Sequence, residues 1–251
     1  MNIQLSVVII AYNEEHNIAR CIQSVQGIAD EILIVDSHSI DATREITLAM
    51  GARVVEHDFD GHIQQKNRAA SLAKYDYVLS LDADEALSDE LKISVAQVKQ
   101  NWKHHAYQMN RCTSWCGTWI KHSGWYPDKK LRLWDRRKGQ WGGVNPHDKW
   151  ELYDGGKNFG WISGDILHYS YYTVEEHWAQ AEKFSTIAAK ALNVQGKRIS
   201  WLGVYLKTIS KFIRNYILRA GFLDGRPGFT VCKITAWETF AKYRKLRELA
   251  S

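Results

Sequence analysis

The stretch Tyr75-Asp-Tyr-Val-Leu-Ser-Leu-Asp-Ala-Asp-Glu85 decides the fold of this chain, because an apolar run ends there in two carboxylates one residue apart. The run from Val78 to Leu81 predicts a buried strand. An uncompensated carboxylate out of water costs several kcal/mol, so Asp82 and Asp84 need a partner that neutralises their charge. Hard cations such as Mg2+ and Mn2+ take carboxylate oxygens and share their shell with substrate phosphates. The pair therefore predicts a site for a metal-bound diphosphate.

The residues around this stretch alternate between apolar runs and amphipathic segments. Strands are predicted over 5–11, 31–35, 53–55 and 77–81, and helices over 14–25, 63–73, from Asp41 as N-cap through Met50, and from Ser88 to about residue 100. This alternation predicts an α/β fold with a parallel sheet and right-handed crossovers. Ligands bind beyond the carboxyl ends of such strands. Polar clusters follow those ends at Tyr12-Asn-Glu14, at Asp36 and at Asp82 with Asp84.

The pattern changes after residue 105. From 106 to 167 Trp, Tyr and Gly become frequent and helical periodicity fades, which predicts short strands and loops that cover the open edge of the sheet. Helical spacing returns from Val174 onward, and a basic stripe of Lys207, Lys211 and Arg214 runs beside apolar positions. We expect one domain over 1–170 and a basic helical extension over 171–251. That extension either lies in a membrane interface or packs against the domain or a second copy in a homodimer.

Charge is distributed unevenly along the 251 residues, which carry a net charge of +5. Residues 1–100 contain 8 Lys/Arg and 16 Asp/Glu, a net −8, whereas residues 101–251 contain 25 and 12, a net +13. The basic part predicts an anionic partner, either nucleic acid, anionic lipid or a phosphorylated substrate. No uncharged apolar run approaches the ~18 residues of a transmembrane helix. The chain start lacks a secretory signal pattern, and four scattered cysteines predict no disulfide framework. We therefore expect a cytoplasmic protein, with peripheral contact to the inner face of the cell membrane.

Three successive motifs resemble those of the family 2 inverting glycosyltransferases, which have the GT-A fold. They are Val7-Val-Ile-Ile-Ala-Tyr-Asn-Glu-Glu15, Ile34-Val-Asp-Ser-His-Ser-Ile-Asp-Ala-Thr43 and Leu81-Asp-Ala-Asp-Glu85, in the order and spacing of the family. The resemblance implies a Rossmann-like, mainly parallel sheet flanked by helices, a nucleotide-sugar donor, and Mg2+ or Mn2+ as cofactor. The segment from Tyr216 to Phe229 resembles the tail of family 2 enzymes that add a sugar, commonly glucose, to the inner core of lipopolysaccharide.

The resemblance also implies roles for individual residues. The nucleotide-sugar contacts it implies are Tyr12, Asn13, Glu14, Asp36, Lys66, Arg68, Asp82, Asp84 and Arg132; the metal ligands are Asp82, Asp84 and His168. Structural alternatives stay open for several of them. Asp36 and Asn13 are also typical of turn and helix caps, Lys66 and Arg68 of a solvated helical face, and His168 of a packed histidine.

An inverting transfer needs a general base that takes the proton of the acceptor hydroxyl. The resemblance places this base at Asp148, within Trp141-Gly-Gly-Val-Asn-Pro-His-Asp-Lys149, with Asp128 and Asp135 as rival acids. Enzymes of the resembling subfamily carry Val-His-Glu there, so Asn-Pro-His-Asp is a departure with a shorter acid.

The sequence therefore favours a metal-dependent inverting hexosyltransferase. It would transfer glucose from UDP-glucose to a lipid-linked saccharide, the lipopolysaccharide inner core, through a β-glycosidic bond. A polyprenyl-phosphate glycosyltransferase shares the N-terminal motifs and is the alternative enzyme. A nucleic-acid-binding protein is the alternative class, suggested by the basic part and 11 tryptophans. The acidic N-terminal part disfavours it, so no nucleic-acid partner is expected.

Overall fold

The structure is a computed structural model that describes residues 3–144, 147–156 and 158–250; of residues 144, 147, 148 and 250 it describes the backbone alone. Contacts divide the chain into two units. The first unit comprises Met1–Arg111 and Asp128–His168, and the second comprises Cys112–Pro127 and Tyr169–Ser251. Among the described residues, none of the helices combines the length and the apolar character needed to cross a membrane.

The elements follow one another along the chain as the sequence pattern suggests. The strands are β1 Leu5–Ala11, β2 Glu31–Asp36, β3 Arg53–Glu56, β4 Tyr77–Asp82, β5 Glu85–Leu87, β6 Ala106–Trp115, β7 Thr118–Ile120, β8 Asp128–Asp135, β9 Gly139–Val144, β10 His147–Leu152 and β11 Phe159–Tyr171. The α-helices are α1 Ile18–Val25, α2 Thr43–Ala49, α3 His62–Leu72, α4 Asp89–Gln100, α5 Val174–Val194, α6 Trp201–Ile213 and α7 Gly225–Ala250. A π-helical turn at Arg214–Leu218 and a 3-10 turn at Gly221–Asp224 join α6 to α7.

The parallel part of the sheet is confirmed. Strand β1 lies between β2 and β4, with β3 outside β2, and all three pairings are parallel. The strands are continuous apolar runs because both of their faces are covered, and Val7, Ile9 and Leu79 are fully buried in one core cluster. The register sets Ala11 opposite Asp36 and Ile10 opposite Asp82, so the carboxyl ends of β1, β2 and β4 meet at one edge.

The sheet continues beyond β4 through antiparallel strands, in the order β4–β8–β6–β11–β5. The expectation of short edge-covering strands and loops over 106–167 was therefore wrong for β6 and β11, which are long strands of the sheet. Strand β6 has ten residues and β11 thirteen. The alternating pattern of these strands was hard to identify in the sequence. Met109 of β6 is fully buried in the core, whereas Arg111 of the same strand is charged and lines a cavity. Residues 139–152 form the separate hairpin β9–β10.

Two predicted helix starts shift by a few residues. Helix α1 begins at Ile18 rather than at Glu14, and residues 14–17 form a turn. Asp41, expected at the N-cap of α2, lies one residue before the cap and accepts hydrogen bonds from the backbone N of Thr43 (3.0 Å) and of Glu15 (3.1 Å). Its carboxylate therefore ties the turn after β1 to the start of α2. Ser88 caps α4 as predicted, because its Oγ accepts from the backbone N of Leu91.

The second unit is built mainly from helices. Helix α5 begins with a capping box in which Thr173 and Glu176 satisfy each other's backbone N–H groups. A core cluster joins Trp115, Ile120, Ala181, Val231 and Ile234. The side chain of His177 is buried beside this cluster, and its Nδ1 accepts a hydrogen bond from Trp115 Nε1 at 3.0 Å.

Candidate active site

A cavity of about 280 Å3 opens where β1, β2 and β4 end. We call it the strand-end cavity. Its lining includes the predicted site residues Tyr12, Glu14, Asp82, Asp84 and His168. Residues from distant parts of the sequence thus meet at the edge predicted from the parallel strands. Asn13, Asp36, Lys66, Arg68 and Arg132 do not line this cavity.

The turn after β1 is shaped by hydrogen bonds to the turn after β2. Asn13 adopts a left-handed conformation, with φ of 55°, a region in which Asn is favoured among non-glycine residues. Its backbone N donates to Ser39 Oγ at 2.9 Å, and its Oδ1 accepts from the backbone N of Ile40 at 2.9 Å. The side chain of Tyr12 is left 58% exposed at the cavity. Its ring is therefore available to a planar ligand.

Asp36 lies at the end of β2 with its side chain fully buried. One carboxylate oxygen accepts from Ser39 Oγ at 2.5 Å and the other from the backbone N of Ser39 at 2.8 Å. In this structure Asp36 stabilises the turn after β2, and that turn hydrogen-bonds to Asn13. The turn-capping alternative noted from the sequence is thus seen, and Asp36 would reach a ligand only through Ser39 and its neighbours.

Asp82 at the end of β4 is paired with two cations. Arg132 Nη2 lies 2.8 Å from Oδ2, and Lys66 Nζ lies 3.1 Å from Oδ1. Burial raises the pKa of the Asp82 carboxyl, but the charges of Arg132 and Lys66 outweigh burial and hold that pKa well below its usual range. The chain itself therefore supplies the compensation that the sequence argument demanded for this carboxylate.

Glu85 anchors the turn that carries both aspartates. Its side chain is fully buried; Oε2 accepts from the backbone N of Asp82 at 3.0 Å, and Oε1 accepts from Arg132 at 2.8 Å and Arg111 at 3.3 Å. No role was predicted for Glu85 from the sequence, although it belongs to the Leu81–Glu85 motif. A buried acid with two arginine partners fixes the position of Asp82 relative to β8 and β6.

Asp84 faces the histidine of β11. His168 Nε2 lies 3.1 Å from Asp84 Oδ2, and both side chains are only partly exposed. The antiparallel register that sets His168 opposite Glu85 brings the imidazole to this position. Glu14 lies on the same side of the cavity; burial raises the pKa of its carboxyl, and nearby Asp84 raises it further.

The carboxylate of Asp84 and the imidazole of His168 could together bind a divalent cation, provided that other groups supply its remaining ligands. A carboxylate oxygen and an imidazole nitrogen are both ligands of Mn2+, and Mg2+ is commonly held by one or two carboxylates together with substrate phosphates. Within the described residues, no group of three or more His, Cys, Asp or Glu side chains forms a complete metal site. Phosphate oxygens of a bound ligand would have to complete the coordination.

The remaining predicted residues lie elsewhere in the first unit. Arg68 pairs with Asp60 at 2.9 Å and lines a different cavity, of about 560 Å3. The rival acid Asp128 binds Arg111 at 2.9 Å. The other rival, Asp135, is buried and pairs with Arg137 at 2.7 Å. Both rivals are thus occupied by cations.

Asp148, the predicted general base, lies on the hairpin β9–β10. Its backbone pairs with Gly143. Its side chain lies outside what the structure describes.

Several residues that line the strand-end cavity were not predicted from the sequence. They include Ser37, Phe59, His62 and Gln65. Gln65 is buried, and its Nε2 donates to Ser37 Oγ at 3.0 Å. The available signal was the position of Gln65 beside Lys66 on α3, because both belong to the polar cluster that starts this helix.

Comparisons with known proteins agree with this geometry. The family model described as glycosyl transferase family 2 matches residues 6–153. The chain is 31% identical to an uncharacterized glycosyltransferase of Rickettsia typhi, over 98% of this chain and 88% of that protein. It is 24% identical to the lipopolysaccharide core biosynthesis glycosyltransferase LpsC of Rhizobium meliloti, over 95% of this chain and 93% of that protein.

Among solved structures, the chain resembles glucosyl-3-phosphoglycerate synthase from Mycobacterium tuberculosis in complex with Mn2+ and UDP-glucose. The TM-score is 0.38 at 25% identity, and the match covers 45% of this chain and 44% of that one. The chain thus matches less than half the length of this enzyme. The family match, in contrast, spans more than half of the chain and contains the parallel strands with every lining residue of the strand-end cavity except His168. The protein is therefore a member of glycosyltransferase family 2 with the GT-A fold, extended by C-terminal helices.

Proposed function

We propose that this protein is a metal-dependent inverting glycosyltransferase that transfers glucose from UDP-glucose to a lipid-linked saccharide, the inner core of lipopolysaccharide, forming a β-glycosidic bond. The observation that supports the donor half best is the shared lining of the strand-end cavity by Tyr12, Glu14, Asp82, Asp84 and His168. The similarity to LpsC, which is named for lipopolysaccharide core biosynthesis, supports the acceptor class.

The residues of the strand-end cavity would bind the donor. The exposed ring of Tyr12 stacks on the base, and the turn held by Asn13 and Asp36 gives the base its polar contacts. Asp82 contacts the ribose or shares in metal binding, and Asp84 with His168 holds the divalent cation. When bound, that cation neutralises charge that develops on the leaving diphosphate. Arg132 and Lys66, which already lie against Asp82, add positive charge on the same side.

Asp148 would act as the general base. Its carboxylate takes the proton of the acceptor hydroxyl, and the acceptor oxygen then bonds to the anomeric carbon as the bond from that carbon to the diphosphate breaks on the opposite face. Attack opposite the leaving group inverts the anomeric configuration. The hairpin β9–β10 supports this assignment, because its residues Trp141, Lys149 and Trp150 line a second cavity that includes Asp82.

A turnover assay tests this function. We expect the protein with Mn2+ or Mg2+ to release UDP from UDP-glucose in the presence of lipopolysaccharide core acceptor, and Asp148→Asn to lower kcat by about 10²–10⁴-fold, because the amide cannot take a proton. The donor KM should change little. Asp154→Asn, which alters an exposed aspartate of the same region that lines neither cavity, serves as the matched control and should retain activity.

A near-normal rate for Asp148→Asn would remove Asp148 as base. If a polyprenyl phosphate were then the productive acceptor, the alternative enzyme would replace our proposal, because a phosphate oxygen needs no strong base. Absence of UDP release from any UDP-sugar would contradict the proposed donor class.

Helix α6 supports a contact with anionic membrane, which a lipid-linked acceptor requires. The recurring apolar positions are Leu202, Leu206, Ile209 and Ile213 on α6 and Ile217 on the π-helical turn that follows it, and all five are exposed. We call these five residues the apolar face of α6.

A basic groove of about 520 Å3 flanks this apolar face. Lys207, Lys211, Arg214 and Lys242 line the groove. Apolar side chains beside a row of cations complement acyl chains beside acidic headgroups. We therefore propose that the helical extension over 171–251 docks the enzyme on the cytoplasmic membrane surface, while residues 1–170 carry the catalytic domain.

A further inference from the structure

A second cavity of about 490 Å3 adjoins the strand-end cavity and shares Asp82 with it. We call it the cationic cavity. Its lining contains the cations Lys66, Arg111, Lys129, Lys130, Arg132 and Lys149, whereas Asp82 is the acid that lines it. These cations come from α3, β6, β8 and β10, so the concentration of charge arises from the fold and not from one sequence run.

The acids near this cavity are shared between cations. Asp82 pairs with both Lys66 and Arg132. Asp128 pairs with both Arg111, at 2.9 Å, and Lys130, at 3.1 Å.

Two further acids, Glu85 and Glu151, also contact these cations. Six cations against the four acids Asp82, Glu85, Asp128 and Glu151 leave two positive charges in excess. Lys129 and Lys149 are exposed, so the part-buried members are four cations against the three acids Asp82, Glu85 and Asp128. A bound anion would neutralise the one part-buried positive charge in excess.

The environment of Lys130 agrees with this excess. Burial lowers the pKa of its ammonium, and the charge of Arg111 lowers it further, although Asp128 opposes both effects. Lys129 lies beside it on β8, with its ammonium 5.5 Å from the centre of the Trp161 ring. Lys130 is therefore positioned to gain from a ligand that carries negative charge, and Lys129, although exposed, also lines the cavity.

Aromatic side chains also line the cationic cavity. Trp141, Trp150 and Phe159 line it, and Trp141 lies under the ammonium of Lys66 at 4.8 Å. Trp141 and Trp150 are buried, whereas Phe159 is part-buried. Of the three, Phe159 thus offers ring surface to a sugar whose anionic substituent meets the lysines.

We propose that the cationic cavity binds an oxyanion carried by the acceptor, a phosphate or a carboxylate, through Arg111, Lys129 and Lys130. This inference rests on the proposed function, because it assigns the strand-end cavity to the donor and the far side of Asp82 to the acceptor. The enzyme thereby selects an acidic saccharide over a neutral one.

Titration of inorganic phosphate into the 251-residue protein saturated with UDP and Mn2+ tests the proposal. Ionic strength is held constant with sodium chloride, and thermal stability is read out. We expect a saturable rise in Tm, and a weakening of phosphate affinity of about tenfold or more in Lys129→Gln/Lys130→Gln. The affinity for UDP should stay within about twofold of the unaltered protein. Lys183→Gln, an exposed position on α5, is the matched control and should bind both ligands normally.

Parallel titrations with acetate distinguish a phosphate site from a carboxylate site. Phosphate that competes with UDP, or a linear response without saturation, would overturn the proposal, since the cavity would then serve the donor or bind no specific anion. Failure of the proposed function is seen separately, as absence of UDP binding. The phosphate titration without nucleotide still reports on the cationic cavity in that case.

Discussion

At the residue scale, the two aspartates of the central motif have different partners although one residue separates them. Asp82 faces Arg132 and Lys66, whereas Asp84 faces His168. The sequence predicted that both carboxylates need a positively charged or hydrogen-bonding partner. It did not indicate which partner belongs to which aspartate, because all three partners are distant in sequence. Glu85, which supports the turn between them, was identified only through its arginine contacts.

His177 provides a prediction at the residue scale that concerns stability. Burial lowers the pKa of its imidazole to about 4, and its Nδ1 accepts from Trp115 Nε1. In the unfolded chain the imidazole has its ordinary pKa of about 6.5. Between roughly pH 6.5 and pH 4, His177 is therefore protonated in the unfolded chain but neutral in the folded protein. Stability from this residue is complete above that window and falls as the pH is lowered through it.

We expect the free energy of unfolding to fall by about 2 kcal/mol between pH 7.5 and pH 5 on account of His177. His177→Gln keeps an acceptor for the Trp115 N–H but does not titrate, so this variant should lose that part of the pH dependence. Urea denaturation of both proteins at the two pH values measures the difference. Equal pH dependence would show that His177 is not held neutral by the fold.

At the element scale, the parallel strands and most helices of the first hundred residues were predictable. Continuous apolar runs and Ser88 as a cap are local signals that the fold preserves. The antiparallel strands β8, β6 and β11 were not predictable. Polar residues that line a cavity interrupt the alternation of apolar and polar positions along one face of each strand. Helix α1 starts late because Glu14 and Asn17 hydrogen-bond to each other in the preceding turn.

The apolar face of α6 gives the prediction at the element scale. Leu206→Glu/Ile213→Glu places two charges on a surface proposed to enter the headgroup region, and each leucine-sized contact contributes about 1.5–3 kcal/mol when buried. Sedimentation with phosphatidylglycerol-rich vesicles should therefore show a more than about tenfold loss of binding. The matched control is Ile93→Glu on α4, which alters a residue 60% exposed outside this face.

Turnover of a water-soluble acceptor should be unchanged in the α6 variant, because the donor site is not altered. Unaltered vesicle binding, or binding by the unaltered protein that does not depend on acidic lipid, would contradict the membrane role. A loss of a dimer in the variant would instead assign the face to a second copy of the chain.

At the scale of the whole molecule, the excess of basic residues in the second part of the sequence is found in two places. Part of the basic excess of residues 101–251 lies around the cationic cavity, and part lies beside the apolar face of α6. The sequence predicted an anionic partner but not this division, because the cations of the cavity are brought together by strand pairing. Nor did it predict that Arg68 would pair with Asp60, although it left open that Asp36 stabilises its own turn, as the structure shows.

The central claim is that the strand-end cavity binds a uridine diphosphate through a metal held by Asp84 and His168. Calorimetric titration of UDP with Mn2+, and again with EDTA, tests it most directly. We predict binding with Mn2+ that weakens by about tenfold or more with EDTA and in Asp84→Asn, while the exposed control Asp60→Asn binds normally. UDP binding that is indifferent to EDTA and to Asp84→Asn, or no UDP binding at all, would contradict the account.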